Sequence, residues 1–202
     1  MNEKIMRQVE EMKKQTIGVE VEMNGISREN AAKIAARYFG TRRYQNTARR
    51  NGYSTWSAWD ADDREWKFQK DTSIAGPDNE KCELVTPILT YADMENLQEL
   101  IRQLRHAGAK SDASRGCGVH IHIGAKGHTP QTLRNLANIM ASHESLIADA
   151  LNLDRGRMRQ YCRTVDPRFL KELNRKKTKN HVSLGRHLVY LTRGGLWKKP
   201  SL

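Results

Sequence analysis

Several things are scarce in this 202-residue sequence, and each scarcity excludes something. It has three cysteines, Cys82, Cys117 and Cys162, odd in number and far apart. That rules out a disulfide framework and a CxxC metal knuckle, and it fits a reducing compartment. No apolar run approaches the roughly 20 residues that a membrane span needs. The opening stretch from Met1 to Lys14 is acidic and basic by turns with no apolar centre, so it reads as neither signal nor transit peptide. The expected location is the cytoplasm, with no membrane partner. Neither GxxxxGK nor GxGxxG occurs, and Gly116, Gly118, Gly124 and Gly127 read as tight turns and strand ends rather than a phosphate cradle. Repeats and low-complexity tracts are missing too. What remains is a polar chain, mean hydropathy -0.77, whose 38% hydrophobic residues still suffice for a core.

Charge is abundant, with 35 Lys and Arg against 23 Asp and Glu, a formal net +12. Such a balance points toward a polyanionic partner such as nucleic acid. Its distribution weakens that reading. Residues 155–202 hold 14 basic and 2 acidic side chains, and residues 1–154 hold 21 of each. Any nucleic-acid contact therefore falls to 155–202, and it is not the favoured reading.

The patterns predict an α+β domain with a mostly antiparallel sheet. Residues 3–14 carry Ile5, Met6, Val9 and Met12 at helical spacing, and Thr16 to Met23 alternates with period two as a strand. Ser27 caps an Ala-rich helix through about Phe39. Thr41 to Tyr53 reads as an irregular basic loop. Tyr53 to Trp59 and Glu65 to Lys70 form a hairpin around Asp60 to Arg64. Asp71 to Glu80 is a turn-rich connection. Cys82 to Leu89 is a short strand that Pro87 makes an edge strand or brings to the end of its pairing. Thr90 and Asp93 form a capping box before an amphipathic helix ending near Gly108. Gly116 to Gly124 is a strand, and Thr129-Pro130 opens a long helix to about Leu151. A short helix follows Pro167, and a strand is possible near Leu188 to Leu191.

Alternation also places the chemistry. Glu20 and Glu22 share one strand face, roughly 7 Å apart, and Val19 and Val21 take the other. By the same logic His120 and His122 oppose Val119, Ile121 and Ile123. Each pair alone fits a solvated outer face. Together, in one sheet with Glu83 on the intervening strand and Asp71 at the end of the hairpin, the carboxylates repel and raise each other's pKa unless a cation neutralises them. Such an oxygen-dominated set with imidazole suits Mg²⁺, or Mn²⁺.

The segments IGVEVEM, KDTS (Lys70 to Ser73), ELVTPIL (Glu83 to Leu89), CGVHIHIG (Cys117 to Gly124) and RQYCRTVDPRFL (Arg159 to Leu170) stand in an order that resembles the amidoligase family, relatives of glutamate-cysteine ligase and glutamine synthetase. The resemblance spans about residues 15–175 and implies a glutamine synthetase-like catalytic core. It further implies an ATP- and Mg²⁺-dependent ligase that joins a carboxylate to an amine through an acyl phosphate, on amino-acid, peptide or protein substrates. By the family pattern Glu20, Glu22, Glu83 and His120 are metal ligands. His120, Arg115 and Arg159 contact the nucleotide, and Asp71 and His122 are catalytic. Residues 1–14 form an N-terminal segment. Residues 176–202 form a basic segment that departs from the family, because its later GT(I/V)EFR strand is not recognisable. The expectation is then a truncated member of the family, a binding-only derivative, or a sheet completed by a partner chain.

Other residues keep two readings. Arg42, Arg43, Arg49 and Arg50 are a solvated loop or an anion site; Trp56, Trp59 and Trp66 are hairpin packing or a base-stacking platform; Cys117 is a buried thiol or a nucleophile. Two other functions stay in view. One is a non-catalytic binding protein of the same fold that uses its basic segment on nucleic acid or an acidic partner. The other is a metal-dependent hydrolase using His120 and His122.

Overall fold

The computed structural model describes residues 2–160 and 163–175, without the side chains of 157 and 160. They form two compact units, Met1–Gly124 and Ala125–Leu202. The division falls inside the span 15–175, because the sheet closes with the strand ending at Ile123 and the helix after it packs with elements further along the chain.

In the first unit α1 (Glu3–Lys13) precedes β1 (Ile17–Met23), and α2 (Arg28–Tyr38) follows. Ser27 caps α2 by accepting from the Asn30 N–H at 3.2 Å. The stretch expected as a loop contains a strand, β2 (Tyr44–Asn46), and one helical turn, α3 (Ala48–Asn51). Both exist through pairing: β2 adds to β3 (Trp56–Trp59), and the Thr47 hydroxyl bonds that of Ser57 at 2.6 Å. Three residues are too few for alternation to reveal a strand.

β3 and β4 (Glu65–Gln69) form the expected hairpin. β5 (Cys82–Val85) stops before Pro87, yet it lies inside the sheet, so the edge-strand option does not hold; the regular strand ends there, but an isolated bridge of Leu89 with Ile17 continues the pairing with β1 beyond the proline. The Thr90–Asp93 capping box starts a 3-10 turn that leads into α4 (Met94–His106). β6 (Val119–Ile123) completes a six-stranded antiparallel sheet in the order β2-β3-β4-β5-β1-β6.

The core lies on one face of this sheet. Val19, Val21, Met23, Ala58, Trp66, Phe68, Cys82 and Leu84 pack against Ala31, Ala32, Ala35 and Ala36 of α2 and Leu97, Leu100 and Leu104 of α4. The alanine face of α2 is at most 1% exposed, so this helix lies close against β3 and β4 with no space for larger side chains. The opposite face of the sheet is polar.

The second unit contains α5 (Pro130–Ala150), capped by Thr129 with proline in its first turn, then α6 (Arg155–Gln160) and α7 (Pro167–Arg175). Paired amides of Asn138 and Asn174, at 2.9 and 3.1 Å, join α5 to α7, and Glu144 accepts from the Val165 N–H at 2.9 Å. The possible strand near Leu188 to Leu191 lies outside the described residues. Among the described residues, no helix is long and apolar enough to cross a membrane.

Candidate active site

β1 lies next to the last strand of the sheet, between β5 and β6, and turns Glu20 and Glu22 to the polar face. The strand bearing Glu83 is not between β1 and the histidine strand, as expected; β1 separates them. Register then aligns side chains in rows, since directly paired residues share a face. One row runs Gln69, Glu83, Glu22, and the next runs Lys67, Val85, Glu20, His120. Gly18 stands opposite His122.

Glu20 sits between two imidazoles. His120 Nδ1 lies 3.0 Å from its Oε2, and His122 Nε2 lies 3.4 Å from its Oε1. Glu22 is 4% exposed, and its Oε2 accepts from the Gly118 N–H at 2.7 Å. Glu83 is 7% exposed, and its Oε2 accepts from Gln69 Nε2 at 2.7 Å. Burial pushes the Glu83 carboxyl up to about 7; the Gln69 bond opposes the shift, and Glu20, Asp71 and Glu22 add to it.

Asp71 approaches from the turn after β4. Its Oδ1 accepts from the Ser73 N–H at 2.7 Å, which holds the turn in shape. The loop carrying Gly116 packs against that turn. At φ +80° a side chain there would be strained, and a Cβ would fall 2.7 Å from the Ser73 carbonyl oxygen, so glycine permits this close approach. The Ala75 N–H donates to the Arg115 carbonyl at 2.8 Å and ties the two loops together.

Two groups of potential ligand atoms result. Glu20, Glu83 and His120 each offer an atom within 4.8 Å of the others, as do Glu22, Asp71 and Glu83. Glu83 belongs to both. Asp71, expected to be catalytic, thus falls within a group of potential ligands. His122 reaches the face through Glu20. Arg115 meets the neighbouring turn by its backbone and has an exposed side chain, and Arg159 is an exposed residue of α6 in the second unit.

Sequence reasoning missed Gln69 and Lys67. The signal was the alternation in EWKFQ, where Trp66 and Phe68 enter the core and leave Glu65, Lys67 and Gln69 on the polar face. Several of the residues with two readings are engaged in packing or ion pairs. Trp66 is fully buried, Trp56 stacks with Tyr44, and Arg43 lies over Trp59 while pairing with Asp63. Arg50 pairs with Glu65, and Cys117 is buried. A cleft of about 760 Å³ is elsewhere, between α2 and α4 beside Lys33, Arg37 and His106. It is wide open and holds a single carboxylate, Glu80, so it offers no donor set comparable to that of the sheet.

Sheet and side chains define an α+β domain that gathers carboxylates and an imidazole on one face, the donor set of a hard divalent cation. The chain belongs to the amidoligase family: the family model described as "Putative amidoligase enzyme" matches residues 13–193. The match takes in most of the basic segment after residue 175 as well as the sheet. No curated protein and no solved structure gives a match. Membership supports ligase chemistry for the site.

Proposed function

We propose that the protein is an ATP-dependent carboxylate-amine ligase with a glutamine synthetase-like core, acting in the cytoplasm on amino-acid, peptide or protein substrates. The observation that carries this reading is the buried Glu83 shared by two ligand groups. Phosphoryl transfer between anions depends on positioning and on neutralising charge, and divalent cations held by this face would supply both.

The donor set fits Mg²⁺ or Mn²⁺. Glu20, Glu83 and His120 would hold one ion and Glu22, Asp71 and Glu83 a second, a bridging role for which a buried, mutually repelled carboxylate is suited. Bound there, such ions neutralise charge on the nucleotide phosphates. In the first step a substrate carboxylate oxygen attacks the terminal phosphorus of ATP. The bond to the bridging oxygen breaks, and ADP leaves with the electron pair. In the second an amine nitrogen attacks the acyl carbon, the carbon–oxygen bond to phosphate breaks, and phosphate leaves as the nitrogen gives up a proton. His122, whose Nε2 lies 3.4 Å from Glu20 Oε1, would accept that proton. Arg115 and Arg159 are proposed for the nucleotide.

The test is ADP release from Mg²⁺-ATP across a panel of amino acids as amines and dicarboxylic acids as acceptors, with Mn²⁺ binding measured separately by calorimetry. Turnover should require both substrates. Glu20→Gln with Glu22→Gln should abolish turnover and Mn²⁺ binding while the far-ultraviolet spectrum is unchanged. Retention of either by that double variant would remove both residues from the site.

A further inference from the structure

We infer that Lys67 is the protein's own anchor for the phosphoryl group in transit, a role that rests on the ligase reading above. Lys67 is on the polar face because its strand neighbours Trp66 and Phe68 are fully buried. Register places it in the row Lys67, Val85, Glu20, His120. Two strand spacings of about 4.8 Å separate its backbone from that of Glu20. The gap lies within reach of a four-carbon stem on one side and a metal-held anion on the other.

The charges around it explain why the position is poised. Along its own strand on the same face stand Glu65 and Gln69. Glu65 is already held by Arg50 at 2.6 Å and by Asn51 at 2.9 Å, and Gln69 donates to Glu83. Across the strands Lys67 faces Ser57, whose hydroxyl is bonded to Thr47, and Val85. The Lys67 side chain has no hydrogen bond or ion pair among the described residues. The half-buried Lys67, paired across the sheet with Val85 and beside carboxylates that cations would neutralise, is left to bind an anion lying between it and the Glu20, Glu83 and His120 set. Phosphoryl oxygens fit that position best, since they can span from the cation side of the row to a lysine acting as a point charge. During transfer the ammonium would offset charge on the equatorial oxygens.

The experiment compares the full chain with Lys67→Met and Lys67→Arg by calorimetry, with free Mn²⁺ held constant. The probes are Mn²⁺ alone, tripolyphosphate as the phosphoryl source and glutarate as the carboxylate source. Expected for Lys67→Met is an unchanged Mn²⁺ affinity, an unchanged glutarate affinity, and tripolyphosphate binding about tenfold to a hundredfold weaker, the loss for one hydrogen bond to a charged group. Lys67→Arg should restore most of it. Lys67→Gln replaces the methionine variant if that does not fold, with the same expectations. Equal tripolyphosphate binding in variant and wild type overturns the inference. So does a loss confined to glutarate, which would make Lys67 a carboxylate anchor, or a loss of Mn²⁺ itself. A wild type that binds no Mn²⁺ fails the ligase reading and this role with it. One that binds Mn²⁺ and tripolyphosphate without regard to residue 67 fails this role alone.

Discussion

Replacing Glu83 by Gln should make the metal-free protein more stable at neutral pH while destroying its response to metal. Burial and three neighbouring carboxylates raise this carboxyl from the ordinary 4.5 to about 7. A raised acid binds its proton more tightly in the folded state than in the unfolded one, so its presence erodes stability as pH climbs from about 4.5 to about 7. The full difference corresponds to about 3 kcal/mol, an upper bound since relaxation and water entry reduce it. Gln keeps an acceptor for Gln69 Nε2 and has no proton to lose. Glu83→Gln should therefore match the wild type at pH 4.5 in EDTA and exceed it by about 1–3 kcal/mol at pH 8, a rise in Tm of about 2–4 °C per kcal/mol at this chain length. Excess Mn²⁺ should reverse the order, because the wild type gains about 2.7 kcal/mol at a hundredfold excess over Kd and the variant gains nothing. Urea unfolding at the two pH values, with EDTA or Mn²⁺, reads all four quantities. A variant less stable than wild type at pH 8 in EDTA would show that Glu83 is a satisfied structural carboxylate, and the argument for a bridging ligand would fail.

Two further predictions concern the frame that holds the face in place. Ala35→Leu, on the fully buried face of α2, should lower stability by about 1–3 kcal/mol through overpacking, read as a lower urea midpoint at unchanged slope; an unchanged midpoint would mean that α2 does not lie close to the sheet. Asp60 is 4% exposed and accepts from the Trp66 indole, Arg64 Nε and the N–H groups of Asp62 and Arg64. Asp60→Ala should cost about 3 kcal/mol, measured by the same unfolding curves, and a loss under about 1 kcal/mol would contradict the network.

Much of this was legible in the sequence because period-two alternation is a local property. It assigned Glu20 and Glu22 to one face and Val19 and Val21 to the other, and the core confirms the division at Val19, Val21 and Met23. Helix signals were equally local: Ser27, the Thr90–Asp93 box and Thr129-Pro130 all begin helices or helical turns where their hydrogen-bonding chemistry requires. β2 escaped because its three residues are a strand only by virtue of β3.

The site divides along the same line. The sequence determined which candidate residues share a face, two carboxylates and two imidazoles at strand spacing with Glu83 and Asp71 further along, and the family to which that order belongs. Only the tertiary structure decided who neighbours whom. Strand order put β1 between Glu83 and the histidines, register set Glu22 opposite Glu83 and Glu20 opposite His120, and the Gly116 contact with Ser73 packed a second loop against the turn that carries Asp71. A strand records in its own residues which side chains share a face. Its partner and register are set by long-range hydrogen bonds and core packing, which no local pattern encodes.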